Sequence, residues 1–132
     1  MKYFLDTNVI IDMFNTGDQR LTDKICNTPV GDIKIPSIVK GELLLGTKGH
    51  PHSKKEKDLR VFFSTYEIVP FDSGASEEYA RIRYELKSRG ELIGPNDMMI
   101  AATVLSNGGI LVTSNTKGFC QVSGLRIENW RI

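Results

Sequence analysis

Three carboxylates interrupt apolar segments of this chain. Asp6 follows the run YFL, Glu42 lies inside IVKGELLLG, and Asp97 precedes MMIAATVL. Carboxylates can ligate hard cations, act as general acids or bases, or favour helix N-termini. The apolar residues before Asp6 read as a buried strand, so Asp6 marks a strand end. Ser37 is an acceptable N-cap for a helix over 37–45. Glu42 then lies four residues after Ile38 and three after Val39, on the inward stripe with Leu43 and Leu45. A carboxylate buried there costs roughly several kcal/mol unless it is neutralised, paired or bound to a metal. Gly94 permits a turn and Pro95 suits a first helical position. Asp97 then falls in the first turn, with Ile100, Ala101 and Val104 following at three, four and seven residues.

Each acid taken alone has a structural use. Asp97 suits the helix dipole and Asp6 can start a turn, whereas Glu42 sits in a helix already begun. Three acids aimed at one edge repel each other unless a cation joins them. Oxygen-only ligation without clustered His or Cys favours Mg²⁺ or Mn²⁺, with waters completing the shell. Such an ion activates water and steadies charge on a phosphoryl group, so the implied chemistry is metal-assisted hydrolysis of a phosphodiester.

The elements that must position these acids are legible as short runs. Strands are expected over 2–5, 33–35, 68–71, 110–113 and 125–127, with helices over 9–14, 18–26, 37–45, 55–65, 76–89 and 95–105. This alternation predicts an α/β fold, a central parallel β-sheet flanked by helices on both faces, in one domain over 1–132. Ligands of such sheets gather at the carboxyl ends of the strands, where Asp6 sits. The stretch TKGHPHSK, residues 47–54, reads as an exposed loop.

With 132 residues, 40% hydrophobic and 25% charged, the chain has the composition of an ordinary globular protein rather than a disordered one. A net charge of +1 excludes a strongly basic nucleic-acid coat. The charge is uneven, however: Lys40 to Arg60 holds six basic and three acidic residues, and no acid occurs between Asp97 and Glu128. That pattern fits either a mild surface for an anionic polymer or a solvated helix face. No apolar run approaches the roughly 18 residues of a membrane span. No signal-peptide core precedes the first acid, so the expectation is a cytoplasmic protein without a membrane partner. Cys26 and Cys120 form no C-x-x-C and read as buried or idle thiols. His50 and His52 read as exposed imidazoles, Asp12 and Asp72 as helix-face and helix-entry acids, and Trp130 as a packing residue.

Together the segments FLDTNVII, IVKGELLLG, GPNDMMIAATV and ILVTSNTKGF, followed by GLRIENW, resemble the PIN-domain ribonucleases. Specifically, they are similar to the VapC-type toxins of bacterial and archaeal toxin–antitoxin pairs. The resemblance covers nearly the whole chain and is weakest between Gly46 and Tyr66. It implies that Asp6, Glu42 and Asp97 are the catalytic, metal-binding acids, with Mg²⁺ or Mn²⁺ as cofactor. It further implies an RNA substrate, tRNA or ribosomal RNA, a homodimer, and a VapB-type antitoxin whose C-terminal segment fills the active-site groove. Many family members carry a fourth acid after the fourth strand, where this chain has Asn115, Gly118 and Cys120. The expectation is therefore one well-held cation, with Asn115 orienting water and Asn8 and Thr113 holding the carboxylates in place.

Two other readings stand beside this one. An aspartyl phosphatase of the haloacid dehalogenase type would need a second acid at Asn8 and a late Lys with an acid pair, and both are missing. A catalytically weakened PIN-like domain would bind RNA or a partner protein without cleavage.

Overall fold

The short apolar runs become strands of one parallel sheet. The computed structural model describes residues 1–131. Among them, β1 (Tyr3–Leu5), β2 (Ile33–Pro36), β3 (Glu67–Val69), β4 (Ile110–Val112) and β5 (Arg126–Glu128) lie in the order β3-β2-β1-β4-β5. Every pairing is parallel. Parallel neighbours need long crossovers, and helices supply them. Helices α1 (Thr7–Thr16) and α2 (Gln19–Cys26) link β1 to β2, and α3 (Ser37–Leu45) and α4 (Lys54–Thr65) link β2 to β3. Helices α5 (Ser73–Ser88) and α6 (Pro95–Ser106) return the chain to β4, and the single turn α7 (Thr116–Phe119) precedes β5. All three residues of β4 are buried, and successive strand side chains point to opposite faces, so both faces of the sheet are covered. The expected α/β architecture is the one observed.

The core centres on Phe4, Leu5, Ile10, Ile33, Ile35 and Leu111, none of which has any exposed surface. Phe4 also explains one glycine. A Cβ at Gly109 would stand 2.5 Å from the Phe4 ring, so only glycine lets the turn before β4 close over it. Trp130 packs on Tyr3 with ring centroids 5.1 Å apart, the packing role its sequence context suggested.

Several boundaries moved for local reasons. Strand β3 ends at Val69 because Pro70 has no N–H with which to extend the ladder. Helix α5 starts at Ser73, earlier than its apolar periodicity suggests, because the Asp72 side chain accepts a hydrogen bond from the Ala75 N–H and caps it. Ser37 opens α3 rather than capping it, and its Oγ accepts a hydrogen bond from the Phe71 N–H at 3.2 Å, fastening α3 to the chain beyond β3. Leu45, expected to face inward, is 73% exposed. It lies two residues beyond buried Leu43 and therefore on the other side of the helix. Cys26 and Cys120 are both exposed thiols rather than buried ones. The short α7 was not expected at all, since four residues are too few to show a period.

Strand order is what makes a site. The chain builds outward from β1 to β3 and then returns to the other side of β1. The crevice at the carboxyl ends of β1 and β4 is thus a topological switch point, where open α/β sheets bind ligands. Leu5 pairs with Val112, so the two strands end level, and the Asp6 N–H donates to the Val112 carbonyl at 3.0 Å. Asp6 and Thr113 consequently emerge side by side.

Candidate active site

Asp6 does two things at once. It leaves β1 and also caps α1, its Oδ1 accepting a hydrogen bond from the Thr7 N–H at 2.8 Å. Its Oδ2 accepts from the Thr113 hydroxyl at 2.7 Å, and the Thr113 Oγ1 accepts from the Asn115 N–H at 2.9 Å. Thr113 is fully buried and Asp6 is 4% exposed, so two neighbouring strand ends fix this carboxylate from both sides.

Glu42 reaches the same edge from α3. Its Oε1 accepts from the Thr7 hydroxyl at 2.8 Å, while its Oε2 stands 3.4 Å from the Asn96 amide nitrogen, at the limit of hydrogen bonding. Asn96 adjoins Asp97 in the first turn of α6, which follows Gly94 and Pro95 as their sequence suggested. A connected polar chain therefore runs from Asn115 through Thr113, Asp6, Thr7 and Glu42 to Asn96.

The electrostatics of this edge are unfavourable as it stands. Burial pushes the Asp6 carboxyl above its ordinary range, opposed by hydrogen bonds from Thr113 and the Thr7 N–H and reinforced by the charge of Glu42. Asp97 is also raised, first by burial and then by the charges of Asp6 and Glu42. No Lys or Arg pairs with any of the three among the described residues. The described residues thus gather like charges and set no ion-paired counter-charge against them.

This donor set fits a hard divalent cation. It offers only oxygen, carries uncompensated negative charge, and includes one carboxylate held rigidly at a strand end. Among the described residues, no three His, Cys, Asp or Glu side chains converge closely enough to enclose an ion directly. Mg²⁺ asks for less, since it keeps several waters and takes one or two carboxylates. A cleft of about 340 Å³ lies between α1 and α4, lined by Met13, Phe14, Val61, Phe62 and Tyr66 among others, and none of the three acids lines it.

Of the six residues singled out from sequence, the structure brings Asp6, Glu42, Asp97 and Thr113 together, with Asn115 joined through its backbone. Asn8 is exposed and stands outside the hydrogen-bonded chain; Thr7, one residue earlier, occupies the place expected of it. The available signal was a hydroxyl directly after a candidate ligand at the first position of a helix. The Asn115 side chain is exposed and lies beside Gly118, where a Cβ would stand 3.4 Å from Nδ2. His50 and His52 are exposed, as expected.

Comparison with known proteins adds independent findings. The PIN domain family matches residues 3–125. Ribonuclease VapC2 of Rickettsia felis is 33% identical over 132 residues, covering 98% of this chain and 98% of that protein. The tRNA(fMet)-specific endonuclease VapC of Shigella flexneri is 34% identical over 133 residues, again covering 98% of each. Among solved structures, DNA-bound VapBC from Salmonella typhimurium superposes with a TM-score of 0.91 at 31% identity, covering 98% of each chain. VapBC2 from Rickettsia felis, bound to a DNA fragment from its promoter, gives a TM-score of 0.88 at 31% identity over 98% of this chain and 99% of that one.

Proposed function

The chain belongs to the PIN domain family, in its VapC branch, and we propose on that premise that it is a divalent-metal-dependent endoribonuclease, the toxin of a toxin–antitoxin pair. Its substrate is RNA, tRNA or ribosomal RNA, and its product is a hydrolysed phosphodiester. The observation that carries this reading is Asp6, pinned by Thr7 and Thr113 at the switch point of the sheet with the charges of Glu42 and Asp97 against it.

Asp6, Glu42 and Asp97 would hold Mg²⁺ or Mn²⁺ between them, directly or through the waters such an ion retains. Such an ion supplies Lewis-acid stabilisation of the phosphoryl charge and a nucleophile from water at neutral pH. The protein's own part is positioning. Thr113 and the Thr7 N–H each occupy one lone pair of an Asp6 oxygen and leave the others able to accept. Asn115, with Gly118 and Cys120 after it, leaves the segment beyond β4 without a carboxylate and adds polarity without charge, which supports one strongly held cation rather than two.

The partner is proposed to be a VapB-type antitoxin, because structures similar to this chain are of VapBC assemblies, and the working unit a homodimer. The apolar cleft between α1 and α4 offers a seat for such a partner's side chains. Among the described residues, no helix is long and apolar enough to cross a membrane.

The test is incubation of total cellular RNA with the purified protein in Mg²⁺, Mn²⁺ or EDTA, with sequencing of new 5′ ends and Asp97→Asn as control. Discrete, metal-dependent cuts absent from the control are expected. No cut under any metal would overturn the nuclease and leave a domain that binds without cleaving.

A further inference from the structure

Thr7 donates to two carboxylates at once. Its backbone N–H holds Asp6 Oδ1 and its hydroxyl holds Glu42 Oε1, both at 2.8 Å. These acids come from different elements, 35 residues apart for Thr7 and Glu42, and they repel each other. Thr7 is half-buried at the first position of α1, so its backbone is fixed by the Asp6 cap and its side chain leaves the helix beside that cap. The other contact of Glu42, from exposed Asn96, is long at 3.4 Å and cannot fix a three-torsion side chain alone.

We infer that Thr7 is a positioning residue for Glu42, holding its carboxylate beside Asp6 so that a divalent cation meets both in a preset arrangement. The inference rests on the nuclease reading above and adds a residue to it. Without the hydroxyl, Glu42 is half-buried, repelled by Asp6, and free to turn its charge toward water. The cation must then gather that carboxylate itself, which weakens binding. Donors of this kind, set behind metal ligands, typically contribute about 10- to 100-fold to affinity or activity.

The experiment compares the full-length chain with Thr7→Val, Thr7→Ser, Glu42→Ala and the Thr7→Val/Glu42→Ala double variant. Three readouts are Mn²⁺ titration calorimetry, cleavage kinetics on an RNA found to be cut, and thermal melting in EDTA. Valine keeps the β-branched shape and the backbone donor and removes only the hydroxyl. Thr7→Val is expected to weaken Mn²⁺ binding about 10-fold or more and to lower kcat with little change in KM, while Thr7→Ser stays within about threefold of the parent. Adding Thr7→Val to Glu42→Ala is expected to cost nothing further in Mn²⁺ affinity, because the side chain it positions is gone. Equal or tighter Mn²⁺ binding by Thr7→Val, or an undiminished loss in the Glu42→Ala background, would overturn the inference while leaving the nuclease standing. A parent protein that neither binds Mn²⁺ nor cuts RNA would overturn the nuclease reading itself. Should Thr7→Val not fold, the Thr7→Ser and Thr7→Ala pair decides the same question, since only serine keeps the donor.

Discussion

Helix α1 lies between two carboxylate clusters of opposite design. At its start, Asp6 meets the charges of Glu42 and Asp97, and among the described residues no basic side chain pairs with them. Two turns on, Asp12 and the nearby Asp18 share one guanidinium: Arg131 donates from Nη1 to Asp12 at 2.7 Å and from Nε to Asp18 at 3.3 Å. Asp18 also accepts from the Leu21 N–H and caps α2, and these donors hold its carboxyl below the ordinary range. The second cluster ties the C-terminal segment to the α1–α2 corner and asks for no ligand. In the first, hydrogen bonds hold Asp6 and Glu42 in place yet leave their charge uncompensated, the arrangement expected of a functional site. The sign of the pKa displacement separates single members of the two: Asp18, which holds the fold, is lowered, whereas Asp6 and Asp97, proposed to hold a cation, are raised.

The widest separation between the clusters is expected in activity. Asp6→Asn and Asp97→Asn should reduce RNA cleavage to background while the folded state persists, because both changes remove charge from a repelling group. Full cleavage by either variant would break the comparison. Arg131→Ala should do the reverse, leaving cleavage intact and lowering the calorimetric Tm by a few degrees at most, as expected of a partly exposed ion-pair network.

A smaller effect with a diagnostic sign concerns pH. Asp97 is raised in the folded state, so between the ordinary carboxylate pKa and its raised value the native protein holds a proton the unfolded chain has released. In EDTA, the Asp97 contribution therefore falls as pH rises through that window. Asp18, lowered, contributes in the other direction: its stabilisation is present above the ordinary pKa and is lost as pH falls through the folded value. Melts from pH 3 to 8 in EDTA should show Asp97→Asn gaining on the parent as pH rises, with the advantage shrinking when Mn²⁺ is added. An advantage independent of pH would contradict the assignment. The smallest expected change is in Asn115→Asp, which adds a carboxylate beside the cluster. It should tighten a second, weak Mn²⁺ event, and an unchanged isotherm would remove the one-strong-site reading.

How much of this was legible in sequence can be judged residue by residue. Asp97 was readable because Gly94, Pro95 and the Ile100, Ala101, Val104 stripe fix both the helix start and its inward face. Asp72 and Trp130 were equally readable, as a cap and a packing residue. Leu45 misled because a helix period counted over nine residues does not say where the last turn meets solvent. Asn8 misled for a related reason: on a helix, neighbours point about 100° apart, so a shift of one residue exchanges a site donor for an exposed amide.

By itself the sequence determined the alternation of strands and helices and where the three acids fall on them, because periodicity, caps and breakers act within a few residues. Only the tertiary structure decided which donors hold those acids. The Thr113 hydroxyl reaches Asp6 across 107 positions because β1 and β4 are neighbours in register, and Thr7 reaches Glu42 because α3 returns to the same sheet edge. Strand order and register follow from packing of the whole core, and no local pattern encodes them.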